Sequence, residues 1–162
     1  TSADIGYAYA FNDKVKFNLS AGTAFNAPNI TDLFSPLFQT VIFSPELGMF
    51  VNFFSYEGNP DLKPEESKNY EMGLSTKISE NQNLAVNLYY YQIDNLVDYQ
   101  GSTFKPVNVK ESSIKGLEID YNLTKDSFNF NVNATIQDAK NEDTDTALLR
   151  RPDNKLNVSL DK

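Results

Sequence analysis

Apolar and polar residues alternate along most of this chain with a period of two, which puts one kind of side chain on each face of a pleated strand. Phe128, Phe130, Val132, Ala134 and Ile136 alternate with Asn129, Asn131, Asn133, Thr135 and Gln137. Leu117, Ile119, Tyr121 and Leu123 oppose Gly116, Glu118, Asp120 and Asn122, and from Val15 to Asn26 the apolar set Val15, Phe17, Leu19 and Ala21 opposes Lys16, Asn18, Ser20 and Gly22. Tyr70–Lys77, Leu84–Tyr90 and Leu156–Asp161 read the same way, and a weaker strand from Ser2 to Phe11 sets Ile5, Tyr7 and Tyr9 against small residues. The pattern predicts an all-β chain of about seven antiparallel strands and no helix.

The connections carry a second regularity. Asn12-Asp13, Ser79–Asn81 and Lys125–Ser127 are polar turns of hairpin length, whereas Ala27–Glu66, Asn95–Ser112 and Ala139–Pro152 are long. Short and long connections alternate, so an up-and-down meander places every short turn at one end and every long loop at the other.

Two architectures fit. A soluble antiparallel sandwich would bury the apolar face as its core. A transmembrane β-barrel would turn that face to lipid and its polar face to a wet lumen. Three details favour the barrel. The strands approach the length that crosses a bilayer with tilt. Phe25, Tyr70, Tyr121 and Phe128 lie near strand ends, where interfacial aromatics sit. The polar face carries Asn, Ser, Thr and paired charges, whereas a solvent-facing sheet carries more Lys and Glu.

Composition narrows the chemistry. The 162 residues hold 14 Lys and Arg against 22 Asp and Glu, a net charge of −8 that argues against nucleic acid as a partner. Hydrophobic residues make up only 40%, yet aromatics reach 13%, all Phe and Tyr, which argues for a folded chain. There is no His and no Cys, so His-based triads, thiol chemistry and disulfides are excluded. No glycine-rich phosphate loop and no apolar run long enough for a transmembrane helix is present, and no signal peptide is expected in this stretch. Only carboxylate chemistry is left to an enzyme, and Glu71, Glu118 and Asp120 have no nucleophile beside them in the pattern. The expectation is no catalysis, no metal and no cofactor.

The most distinctive text lies in the first long connection. Ala27-Pro28-Asn29-Ile30 is followed by Leu33, then by Gly58-Asn59-Pro60-Asp61-Leu62-Lys63-Pro64-Glu65-Glu66, and the next strand opens Tyr70-Glu71-Met72-Gly73. Asn-Pro and Lys-Pro impose extended or turn backbone and bring the loop down into the strand. In this order and spacing these residues resemble the barrel region of TonB-dependent outer-membrane receptors. Ile114-Lys115-Gly116-Leu117-Glu118 and Asp145-Thr146 with Leu148-Leu149-Arg150-Arg151-Pro152 extend the resemblance over nearly the whole chain, and look most like the cobalamin (vitamin B12) receptors of that family. The stretch between Leu33 and Gly58 is much longer than in those receptors.

The resemblance implies a Gram-negative outer-membrane receptor for TonB-energised uptake of a bulky nutrient: cobalamin, or alternatively a ferric siderophore or haem. It implies TonB as partner through a plug region, with membrane lipid and lipopolysaccharide around the barrel. Against the family's barrel of about 22 strands, residues 1–162 are expected to be an internal portion without plug or signal peptide, with 27–66 as a long extracellular loop. A soluble cell-surface binding module is the rival from a different class. In the inserted loop Phe34, Phe38, Phe43, Phe50, Phe53, Phe54 and Tyr56 are the candidate ligand contacts, closing over a large ligand above the barrel; the alternative is that these rings pack on one another in a hairpin over the mouth. Glu142, Asp143 and Asp145 suit calcium by ligand type but follow no calcium-loop spacing, so solvated charge is expected there. Arg150 and Arg151 suit an anionic ligand or a lipopolysaccharide phosphate, or a structural role at the loop-to-strand junction.

Overall fold

A computed structural model describes residues 2–101 and 103–162. Seven strands form one antiparallel meander: β1 (Ala3–Ala10), β2 (Val15–Asn26), β5 (Glu65–Ser79), β6 (Gln82–Gln100), β7 (Lys105–Lys125), β8 (Phe128–Asn141) and β10 (Asn154–Asp161), in that spatial order. The first long connection holds a five-residue helix, α1 (Ile30–Phe34), and a separate hairpin of β3 (Phe38–Ser44) and β4 (Met49–Tyr56). A two-residue strand, β9 (Thr146–Ala147), pairs with the end of β8.

The register keeps the two faces separate from strand to strand. One row across the sheet runs Tyr7, Leu19, Met72, Leu88, Leu117 and Ile136; the next runs Asn18, Gly73, Asn87, Glu118, Thr135 and Lys155 after Ala8. The apolar face has no cover: Ile5, Leu19, Leu74, Leu88, Ile136 and Leu160 are all exposed. A sandwich would bury these side chains, whereas a barrel offers them to lipid. Aromatics mark both rims of the apolar band. Tyr70 stacks on Tyr90 with centroids 6.4 Å apart at one rim, and Tyr121 meets Phe130 edge-on at 6.4 Å towards the other. Lys115, beside Tyr90, and Tyr121 are six positions apart on β7, about 20 Å of strand, which is near the height of a lipid-facing band.

The polar face is close-packed where the strands rise above this band. Tyr89, Ile114, Ala139 and Leu148 form a buried cluster with Tyr91, Ile93 and Leu96 against it. Gly116, the glycine of the Lys-Gly-Leu-Glu motif, is required here because the Tyr89 ring lies where its side chain would be. The Tyr89 hydroxyl donates to Gln137 Oε1 at 2.9 Å. Gln137 in turn donates through Nε2 to Pro152 O at 2.8 Å and through its backbone N–H to Asp153 O at 2.7 Å, which fixes the start of β10.

Four expectations need correction. Asn95–Ser112 is not a long loop: β6 continues to Gln100 and β7 begins at Lys105, so this connection is a tall hairpin with a tip of only 101–104. Alternation is obscured there by the left-handed Asn95 (φ 58°) and by Pro106. Likewise β8 continues past Ala139 to Asn141. The expectation of no helix misses α1, which is too short to show helical periodicity and rests on the Asn29 cap, whose Oδ1 accepts from Asp32 N at 2.8 Å. The first long connection ends at Pro64, since Glu65 and Glu66 already pair in β5.

Candidate functional site

The two proline motifs of the first long connection are clasped together. Gly58 N–H donates to Ser35 O at 3.0 Å and Asn59 N–H to Asp32 O at 2.7 Å. A Cβ at Gly58 would lie 2.7 Å from Ser35 N and 3.0 Å from Leu33 C, so only glycine fits against the end of α1. The same segment is bolted to the tall hairpin. Asn59 Nδ2 donates to Pro106 O at 2.9 Å, Lys63 N–H to Asn108 Oδ1 at 2.8 Å, Asn108 Nδ2 to Lys63 O at 3.0 Å, and Val97 N–H to Glu65 Oε1 at 2.8 Å. The Gly-Asn-Pro-Asp-Leu-Lys-Pro-Glu-Glu segment therefore holds loops in place, with backbone groups satisfied by side chains where no strand pairs.

Above this clasp a cavity of about 1030 Å³ opens among Pro28, Asn29, Ile30, Thr31, Asp32, Phe54, Tyr56, Tyr99, Phe104 and Arg150. Its organiser is Asp32, only 8% exposed. Asp32 Oδ1 accepts from the Tyr99 hydroxyl at 2.9 Å and the Tyr56 hydroxyl at 3.2 Å, and Oδ2 accepts from Asn29 Nδ2 at 2.7 Å. Burial, then the hydrogen bond and charge of Asp32, push the Tyr99 phenol up to about 12 and raise that of Tyr56 as well; Arg150 pulls Tyr99 slightly the other way. Two rings are thus set as walls, 6.3 Å apart between centroids, and Phe104 faces Phe54 at 5.4 Å.

The seven predicted aromatics divide by position. Phe54 and Tyr56 line the cavity, and Phe38 packs behind Phe54 at 6.4 Å. Phe43 and Phe50 pair with each other at 5.4 Å near the hairpin tip, and Phe34 and Phe53 are exposed away from the cavity wall. Sequence reasoning missed Asp32, Tyr99 and Phe104, which come from other elements. The one cue was that Asp32 follows the Asn29 cap by three positions. Arg150 lies at the cavity and Arg151 does not.

The acidic loop is exposed at Glu142, Asp143 and Asp145, as expected for solvated charge, and its carboxylates also meet nearby groups of the chain. Asp143 Oδ2 accepts from Lys110 N–H at 3.1 Å, Glu142 accepts from the Ser113 hydroxyl, and Asp145 pairs with Lys140. Asp143 and Glu142 tie the loop to β7 and Asp145 pairs with β8, and among the described residues no group of three potential ligands is placed to hold a metal ion. On the polar face of the sheet, Glu71 accepts from the Tyr91 hydroxyl at 2.6 Å, and among the described residues neither Glu71 nor Glu118 has an ion-pair partner.

Comparison with known proteins places this geometry. The family model described as TonB dependent receptor-like, beta-barrel, matches residues 2–161. The vitamin B12 transporter BtuB of Photobacterium profundum is 31% identical over 161 residues, covering 94% of this chain and 23% of that protein. BtuB of Vibrio vulnificus is 28% identical over 152 residues, 91% of this chain and 22% of that protein. The chain thus spans about a quarter of the length of the curated relatives it matches. Among solved structures, the ferric enterobactin receptor PfeA of Pseudomonas aeruginosa in complex with enterobactin superposes with a TM-score of 0.72 at 21% identity, over 98% of this chain and 25% of that one. The copper transporter OprC gives 0.72 at 20% identity, over 98% and 23%.

Proposed function

The chain belongs to the TonB dependent receptor-like β-barrel family, and on that premise we propose that it is an internal portion of an outer-membrane receptor that takes up cobalamin with energy delivered through TonB. The observation that carries the ligand is the likeness to vitamin B12 transporters at 31% and 28% identity over most of the chain. The cavity agrees in chemistry. A ferric catecholate brings several negative charges and calls for a cluster of basic groups. This cavity has aromatic walls and Arg150 as its one basic lining residue. A corrinoid is broad, flat and amide-rimmed, and suits ring faces with few charges.

In this reading no bond is made or broken. Residues 27–64, with the β3–β4 hairpin, and the tip of the β6–β7 hairpin form the extracellular mouth and capture the ligand. The polar face, with Glu71 and Glu118 uncompensated, lines a lumen whose occupant supplies cationic groups, which suits a plug that senses the ligand and passes the signal to TonB. The apolar face meets membrane lipid and lipopolysaccharide.

Equilibrium binding of labelled cyanocobalamin to the full-length receptor in outer-membrane vesicles tests the proposal. Saturable binding, displaced by unlabelled ligand, is the expected result. Absence of binding in vesicles where the receptor is assembled would move the ligand to an iron chelate or haem and leave the barrel reading in place.

A further inference from the structure

The outward face changes character row by row above the apolar band, and the strand register fixes each row. Met72, Leu88, Leu117 and Ile136 form the last apolar row, and Tyr70, Tyr90, Lys115 and Asp138 form the next. Lys68, Gln92, Ser113 and Lys140 follow, opposite one another on β5, β6, β7 and β8. Above them stand Glu66, Asp94 and Glu111, and Glu142 N–H donates to Glu111 O at 3.0 Å, which brings a fourth carboxylate alongside. The first long connection and the tall hairpin lie at this end of the sheet, which is the extracellular end of such a barrel.

Successive rows on one face are two residues apart along the strand, about 7 Å. Like charges directly opposite one another repel, so the carboxylate row is unwelcoming to a phosphate. The basic row beneath it is different. Lys68 makes no ion pair among the described residues, and Lys140 pairs only with Asp145 of the exposed loop after β8. Exposed pairs of that kind exchange partners at little cost. Between the two lysines Gln92 and Ser113 supply an amide and a hydroxyl, which donate sideways to Glu111 and Glu142. Lys68 on β5 and Lys140 on β8 are three strand spacings apart, about 14 Å. That span is too wide for one phosphate and suits a headgroup with a phosphate at each end of a disaccharide. Below the lysines a groove of about 580 Å³ opens among Met72, Leu88, Leu117 and Ile136, with Tyr90 and Lys115 at its upper end. Lys115 is committed there to Asp138 at 3.2 Å.

We infer that this face seats one molecule of the diphosphorylated glycolipid of the outer leaflet. Its two phosphates meet Lys68 and Lys140, its sugar hydroxyls meet Gln92 and Ser113, and an acyl chain lies in the groove below. The Tyr70–Tyr90 stack, with centroids 6.4 Å apart, marks the boundary between headgroup and chains. The carboxylate row sets the height of the seat, because a phosphate moved up by one row meets like charge. The inference rests on the lipid-facing reading of the apolar face and is independent of which nutrient the receptor takes up.

Three lipids test this on the full-length receptor, purified in detergent and stripped of bound lipid: diphosphoryl lipid A, monophosphoryl lipid A and dioleoylphosphatidylglycerol. Native mass spectrometry counts the lipids bound, and heat-modifiable gel mobility checks that each variant barrel is assembled. Diphosphoryl lipid A is expected to bind at least about tenfold more tightly than phosphatidylglycerol. Lys68→Gln and Lys140→Gln should each weaken it about fivefold. With the monophosphoryl form one of the two substitutions should lose its effect, because the phosphate it served is gone. Lys155→Gln, on the polar face, should change nothing. Diphosphoryl lipid A that binds no more tightly than phosphatidylglycerol, or that neither lysine substitution weakens, would overturn the seat while the barrel stands. So would equal losses in Lys155→Gln, or full losses from both substitutions with the monophosphoryl form. A full-length receptor that stays monodisperse without detergent would overturn the lipid-facing reading and the seat with it.

Discussion

Asp32 accepts hydrogen bonds from Tyr56, Tyr99 and Asn29 while being only 8% exposed, so two phenols donate to one carboxylate instead of to water. The arrangement has a pH signature. The Tyr99 phenol is raised above its ordinary value to about 12, so the folded state binds the proton more tightly than the unfolded chain. Its contribution to stability is fully present below about pH 10 and is lost as pH rises from there through about 12. Tyrosinate absorbance, as the difference between wild type and Tyr99→Phe, should titrate near the top of that window. In Asp32→Asn the same difference signal should shift towards the ordinary tyrosine range, because the charge and the acceptor are both weakened. Gly58 is a second residue-scale constraint. Gly58→Ala forces a methyl against backbone atoms of Leu33, Phe34 and Ser35, and should destabilise loop docking by about 1–3 kcal/mol, read as faster proteolysis within residues 27–64.

Elements are joined by side chains wherever the main ladder stops. Asn108 does this twice over, accepting from Lys63 N–H at 2.8 Å and donating to the carbonyls of Lys63 and Asn95 at 3.0 and 2.7 Å. Asn108→Ala removes three side-chain bonds at a largely exposed site, leaving water in their place, and should cost about 1–3 kcal/mol of local stability. Hydrogen exchange at Lys63 N–H should accelerate accordingly, with amides in the lower half of β7 unchanged. The β3–β4 hairpin behaves differently, since its ladder is wholly its own and its tip pair Phe43–Phe50 packs internally. Replacing residues 42–50 with a short glycine linker should leave barrel assembly intact, as judged by heat-modifiable gel mobility, because no bond of the main sheet is removed.

For the whole molecule, the sheet order leaves β1 and β10 each with one unpaired edge, and both strands are exposed throughout. A barrel removes such edges by closing on further strands. Residues 1–162 expressed alone should therefore aggregate or exchange edges in detergent-free buffer. A monodisperse monomer by light scattering would contradict a lipid-facing reading of Leu156, Val158 and Leu160. On the polar face Glu71 accepts from the Tyr91 hydroxyl, and neither it nor Glu118 has an ion-pair partner among the described residues.

The alternating pattern alone was enough to find the seven meander strands and to say which side chains share a face, because a period of two is local and every residue carries it. The same pattern stopped short at Asn95, where left-handed backbone breaks the alternation, and so hid the upper halves of β6 and β7. The glycine and proline motifs announced themselves as rigid turns, but their purpose became visible only when Gly58 was seen against α1 and Asn59 against Pro106. The cavity was the least legible part. Asp32, Tyr56, Tyr99, Phe104 and Arg150 sit on four separate segments, and no local period records which loops meet above a sheet. Hydrophobic alternation therefore set the sheet, while the clasp of loops on the tall β6–β7 hairpin decided which of many exposed aromatics became the wall of a site.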